Sequence, residues 1–175
     1  MRRDKHPNKL FFSYANTVAT IDFAKQFKGH GWVGIVYQVE PDEAFSEITL
    51  HIRFKENDAK LQQETLGILG VNLIYGAFYK YNDPKKLLRY LYDHLDKDQL
   101  EIDTINFSGP RFADVDNRLM SLQLVKNGMT DAVMFGPDGK NILPAAVLYK
   151  KNILALRGSF RPVTKVNMDM YEESY

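Results

Sequence analysis

The chain contains no cysteine, which excludes disulfides, thiolate nucleophiles and cysteine-ligated metals. Its four histidines, His6, His30, His51 and His94, stand at no metal-ligand spacing and no clustered carboxylates accompany them, so no metal is expected. An excess of one charge is missing too: 23 basic residues face 22 acidic ones. That balance argues against nucleic acid, or a membrane surface, as a partner held by bulk electrostatics. Met1 to Leu10 is charged and lacks the apolar run of a signal peptide. The longest apolar run, Leu66 to Tyr79, is shorter than the roughly 20 residues that span a bilayer. A cytoplasmic protein without a membrane partner is expected.

What is present fits one globular unit. The 175 residues, 45% of them hydrophobic, can bury a sizeable core. The reading is an N-terminal tail at 1–9, a single domain at 10–163, and a C-terminal tail at 164–175 from which a further region would continue. Leu10 to Thr20 is aromatic and β-branched and predicts a strand, followed by a basic, glycine-containing connection from Lys25 to Gly31. Trp32 to Glu40 predicts a second strand. In Glu47 to Lys55, Ile48, Leu50, Ile52 and Phe54 alternate with polar residues, the pattern of a strand with one face on a core. Such alternation favours antiparallel pairing, and the short connector from Pro41 to Ser46 makes these two strands neighbours.

Helices follow. Asn57 or Asp58 can cap the first; Asp83 with Pro84 starts the second, whose stripe is Leu87, Leu88, Leu91 and Leu95. A strand at Glu101 to Phe107 precedes a third helix opened by Asp114 or Asp116, with Leu119, Leu122 and Val125 at helical spacing and Gly128 as its stop. Thr130 to Phe135 predicts a strand before the turn Gly136-Pro137-Asp138-Gly139. Pro144 to Lys151 predicts a short helix and Ile153 to Leu156 a last strand. The fold class is α+β: a mainly antiparallel mixed sheet against a buried central helix and two or three further helices. Within the central helix, Asp58 to Tyr81, the stretch Leu66 to Tyr79 is apolar on every face apart from Asn72, which predicts burial all round. Gly67 and Gly70 would let another backbone approach it.

Five stretches together resemble a family of uncharacterised bacterial proteins: Gly29-His30-Gly31-Trp32, Leu61-Gln62-Gln63 leading into Leu66 to Tyr75, Val115 to Leu122, Leu148 to Lys151, and Arg157 to Thr164. The likeness covers about residues 10 to 167. Members carry the label nicotinate-nucleotide adenylyltransferase or TonB-dependent receptor and extend further on both sides, so the resemblance implies the middle section of a larger protein. A receptor of that type is a barrel of many alternating strands, whereas this chain carries helices. The adenylyltransferases use a phosphate motif with two histidines and a later Arg motif; Gly29-His30-Gly31 supplies one histidine and the second motif is missing. No catalytic residue is carried over from either class.

The residues nominate a site of their own. His30, between two glycines, is a candidate acid or base, since glycines allow close approach of a ligand and histidine titrates near neutral pH; the plainer alternative is a loop histidine beside Trp32. Asp116 and Arg118 join it as catalytic candidates. Gln62, Gln63, Asn72, Arg111, Asn117, Arg157 and Arg161 are the candidate ligand-binding residues: Arg111 for an anion near a helix start, and Arg157 and Arg161 as part of a basic cluster near the end of the chain that could hold a nucleotide, an acidic partner or another part of the same polypeptide. Plainer roles compete here too: helix caps for the aspartates, a solvated rim for the arginines, and for Asn72 a hydrogen bond to neighbouring backbone. No cofactor can be read from the sequence. Two functions are expected: a structural or interaction domain of a larger protein, or a nucleotide or small phosphorylated-ligand enzyme domain, nucleotidyltransferase-like in chemistry. The 10 tyrosines and 11 phenylalanines add an expectation of self-association or contact with flanking regions.

Overall fold

The computed structural model describes residues 9–21 and 28–174, and the connection expected at Lys25 to Gly31 falls partly outside them. The chain divides into two compact units, Met1–Leu143 and Pro144–Tyr175, a boundary earlier than the residue 163 expected from the sequence. The fold is α+β. Among the described residues no helix is long and apolar enough to cross a membrane.

The first unit is built on β-strands β1 (Phe12–Asn16), β2 (Ala19–Ile21), β3 (Lys28–Tyr37), β4 (Ser46–Phe54) and β5 (Leu100–Ser108). β1, β3, β4 and β5 lie side by side in that order, each antiparallel to its neighbour. The alternation in β4 is realised as read: Ile48, Leu50, Ile52 and Phe54 are fully buried and, with Val33, Ile35 and Tyr37 of β3, line the core face. The single N-terminal strand expected from the sequence is split. β1 and β2 keep one register along β3, Asn16 opposite Val33 and Ala19 opposite His30, but regular strand is interrupted at Thr17 and Val18, where Thr17 N still donates to Trp32 O at 2.9 Å. A Cβ on Gly31 would lie 2.5 Å from the Thr17 carbonyl oxygen and 2.6 Å from Val18 Cα. Glycine is needed there for the chain's own close approach, and its absent side chain serves packing.

Helices α1 (Ala59–Tyr79), α2 (Pro84–Tyr90) and α3 (Asn117–Lys126) accompany the sheet. Asp58 starts α1 by accepting from the Lys60 and Leu61 amides, and Asp83 accepts from Lys86 N with Pro84 in the first turn of α2. Leu87, Leu88, Leu91 and Leu95 are buried as expected. Burial of α1 on every side is not observed. Leu69, Leu73 and Ala77 face the core, but Val71 and Tyr79 are 67% and 73% exposed. A sequence apolar all round carries no directional signal, so composition alone could not reveal which face turns outward. Gly67 has open space around it, while Gly70 faces the Tyr14 ring, whose hydroxyl would lie 2.9 Å from an added Cβ; the close neighbour is a side chain where a backbone was expected.

Helix α3 is turned relative to the expected stripe. Leu119 and Leu122 are exposed, and Met120, Ser121 and Leu124 face inward. The reason lies in Asn117, whose Oδ1 accepts from Phe107 N at 2.8 Å while its Nδ2 donates to Phe107 O at 3.0 Å. That amide pairs with the free edge of β5 as a neighbouring strand would, and it fixes the rotation of the helix. Asn141 Nδ2 donates to Ile105 O, and Ile102 N donates to Met129 O, so the same edge is further protected from intermolecular pairing. The strand expected at Thr130 to Phe135 shortens to β6 (Met134–Phe135), paired across the predicted turn with β7 (Asn141–Ile142). In the second unit, α4 (Pro144–Leu148) and α5 (Lys165–Glu172) are helical, and the strand expected at Ile153 to Leu156 is irregular. Thr164 caps α5 through a reciprocal exchange with Asn167.

Candidate functional site

Helices α1 and α3 pack against the sheet, and the face opposite the core carries His30 and Trp32 from β3 with His51 and Arg53 from β4. Register sets the rows: His30 stands opposite Arg53, Trp32 opposite His51, and Arg53 opposite Glu101. A bulge then breaks the β4–β5 ladder. His51 pairs with Thr104 and Ile52 with Ile102, leaving Asp103 without a ladder partner. Bulges re-aim side chains, and here Asp103 Oδ1 lies 2.8 Å from His51 Nδ1. His51 Nε2 in turn lies 3.3 Å from His30 Nδ1.

The three groups form a chain from the interior to the solvent. His51 is 3% exposed and Asp103 is nearly as covered, whereas His30 is open. The His51 ring is flanked by those of His30 and Trp32, with centroids 5.4 and 5.1 Å away. A carboxylate can only accept, so His51 Nδ1 donates to Asp103 and its Nε2 is left as the acceptor for His30 Nδ1–H. The network thereby assigns the His30 lone pair to Nε2, on the side away from His51. Thr130 Oγ1 donates to Glu101 Oε1 at 2.7 Å, occupying the carboxylate opposite Arg53.

The other sequence candidates are placed elsewhere. Asp116 caps α3 through Arg118 N, and its carboxylate is gripped by the Arg118 side chain at 2.9 Å. That hydrogen bond, together with the Arg118 charge, holds the Asp116 carboxyl below its usual range. Asn117 is engaged with Phe107, at the far end of β5 from Glu101 and the His30 row, about 20 Å away at roughly 3.3 Å per residue. His30 and the segment 116–118 therefore do not converge. Arg111 pairs with Glu40 at 2.9 Å and Glu43 at 2.6 Å and lies over the Tyr81 ring. Burial raises the Glu43 pKa, but hydrogen bonds from Arg111 and from the Glu40 and Val39 amides outweigh it and leave the carboxyl below the ordinary glutamate value. The cluster ties the β3–β4 connector to the turn after β5.

Gln62 is buried and donates to Glu56 O at 2.7 Å, securing the first turn of α1. Gln63 borders a hollow of about 400 Å³ with Tyr14, Asn16 and Leu66. Asn72 donates to Leu91 O at 3.1 Å and Asp93 O at 2.7 Å, so the lone amide of α1 satisfies the carbonyls that follow α2. It also borders an open hollow of about 710 Å³ with Glu64, Gly67, Ile68, Val71 and His94. Arg157 and Arg161 are exposed residues of the second unit.

His30 is conspicuous in the sequence, and His51 and Asp103, which continue its hydrogen-bond chain, are not. His51 sits in the polar alternation of β4 and reads as a solvent-facing residue; Asp103 enters the chain only because of a bulge, which has no sequence signature of its own here. Among the described residues no group of three or more His, Asp or Glu side chains is arranged to hold a metal ion. The chain matches no family model, no curated protein and no solved structure.

Proposed function

We propose that the first unit is an interaction domain, part of a larger cytoplasmic bacterial protein, that associates with a second copy of itself through the outer face of α1. The carrying observation is that Val71 and Tyr79 project into solvent, with Tyr75 43% exposed on the same face. Exposed apolar surface of this kind, gathered on one helix, is characteristic of interaction sites. The Tyr75 ring lies 4.6 Å from that of Tyr79 and 5.0 Å from that of Tyr90, centroid to centroid and tilted in both pairs, and Lys80 Nζ lies 4.6 Å from the Tyr90 centroid; aromatic anchors of this kind dominate interface energetics. A net charge of +1 opposes self-association little.

Light scattering across a concentration series tests this. The expected result is a mass that rises toward a dimer in the native chain and stays at that of a monomer in Val71→Glu/Tyr79→Glu. A native chain that remains monomeric at the highest concentrations would contradict the reading. The phosphorylated-ligand alternative has less support, because Arg111 is held by Glu40 and Glu43 and Arg118 by Asp116.

A further inference from the structure

We infer that the open sheet face around His30 binds a planar aromatic acid, of the phenol or enol class, and takes its proton onto His30 Nε2. This goes beyond the proposed interaction through α1 and rests on different residues. The hydrogen-bond order assigns the exposed lone pair of His30 to Nε2, because Nδ1 is committed to His51 at 3.3 Å and His51 Nδ1 to Asp103 at 2.8 Å. An exposed lone pair fixed in this way accepts a proton or a hydrogen bond from a ligand. Trp32, 42% exposed on the same face, offers a surface on which a flat ring can stack. Arg53, directly across from His30, enters no ion pair among the described residues and is the cation available to the oxyanion that forms.

The proton balance is closed within these groups. The ligand O–H bond breaks, its proton bonds to His30 Nε2, and the electron pair stays on the ligand oxygen as a phenolate between His30 and Arg53. His30 Nδ1–H keeps donating to His51, and the charge can move one step inward by transfer of that proton to His51 Nε2, where the Asp103 carboxylate faces the ring. The charged neighbours are thus Arg53 on β4 with Asp103 and Glu101 on β5, and Glu101 is already occupied by Thr130. Asp103 and His51 are positioning residues in this scheme, while His30, Arg53 and Trp32 meet the ligand.

Trp32 is the sole tryptophan of the chain, so intrinsic fluorescence reports from the site itself. The probe is 4-nitrophenol, in a buffer in which the free phenol is largely protonated; 4-nitroanisole, which has the ring but no acidic proton, is the control. The expected result is saturable quenching of Trp32 together with growth of the phenolate absorbance, with 4-nitroanisole binding about tenfold more weakly for want of a hydrogen bond to a charged group. His30→Ala and His30→Gln, both at an exposed position and checked for folding by circular dichroism, should lose the phenolate signal. Asp103→Asn should reduce that signal and change the ring nitrogen shifts of His30, which a merely structural carboxylate would leave in place. Absence of saturable quenching would overturn the site. Equal binding of 4-nitroanisole, or a phenolate signal that survives in both His30 variants, would overturn the proton-taking role.

Discussion

The two faces of the sheet use the same strands for opposite ends. On the helix-covered face, Ile48, Leu50, Ile52 and Phe54 join one apolar cluster and are removed from water. On the other, β4 presents Glu47, Thr49, His51 and Arg53, yet His51 is as well hidden as a core side chain. Its ring is flanked by those of Trp32 and His30, and its buried polarity is met by Asp103. Burial on the first face comes from layers packed together; on the second it comes from side chains of adjacent strands leaning on one another. The difference teaches that alternation sorts residues between faces without saying how far each is sealed.

The contrast can be broken most forcefully at Leu50. Leu50→Ala opens a cavity in the covered face and should cost about 2–5 kcal/mol, whereas His30→Ala on the open face, which removes one hydrogen bond to His51, should cost about 0.5–1.5 kcal/mol; urea unfolding of both variants measures the gap. Similar losses in the two would show that the open face is structural as well. Asn72 gives the intermediate case, polar but enclosed between α1 and the chain after α2. Asn72→Ala should cost about 1–3 kcal/mol by stranding the Leu91 and Asp93 carbonyls, and a melting temperature equal to that of the native chain would show that water replaces the amide.

The smallest effect is expected at the polar rim. Glu43 has a folded pKa below the ordinary glutamate value of 4.5, so its stabilising contribution is complete above the unfolded value and is lost as pH falls through the folded one. Acid melting curves should therefore show a decline below about pH 4.5 that is shallower in Glu43→Gln. Parallel curves for the two proteins would place the acid sensitivity elsewhere.

Much of the covered face is legible because its signals are local. The β4 alternation, the Asp83-Pro84 start of α2 and the Asp116 cap of α3 each follow from residues within one turn or one strand. What eludes the sequence depends on partners far along the chain. The outward face of α1 is as apolar as its inner one, so nothing in its composition marks the rotation; α3 is turned by one amide that pairs with Phe107. The site is legible only in part for the same reason. His30 is conspicuous between its glycines, but the pairing of β3 with β4 is needed to bring His51 beside it, and a bulge in β5 is needed to add Asp103. The histidine opposite a tryptophan in two neighbouring strands was the available signal, and the register needed to use it could not be fixed from the connector.

The open face holds an ordered chain of hydrogen bonds from Asp103 to His30. Long-range proton–nitrogen correlation of the histidine rings, recorded where both are neutral, tests it most directly. The expected result is the proton on Nδ1 and the lone pair on Nε2 in both His51 and His30. A proton on Nε2 of either ring would contradict it.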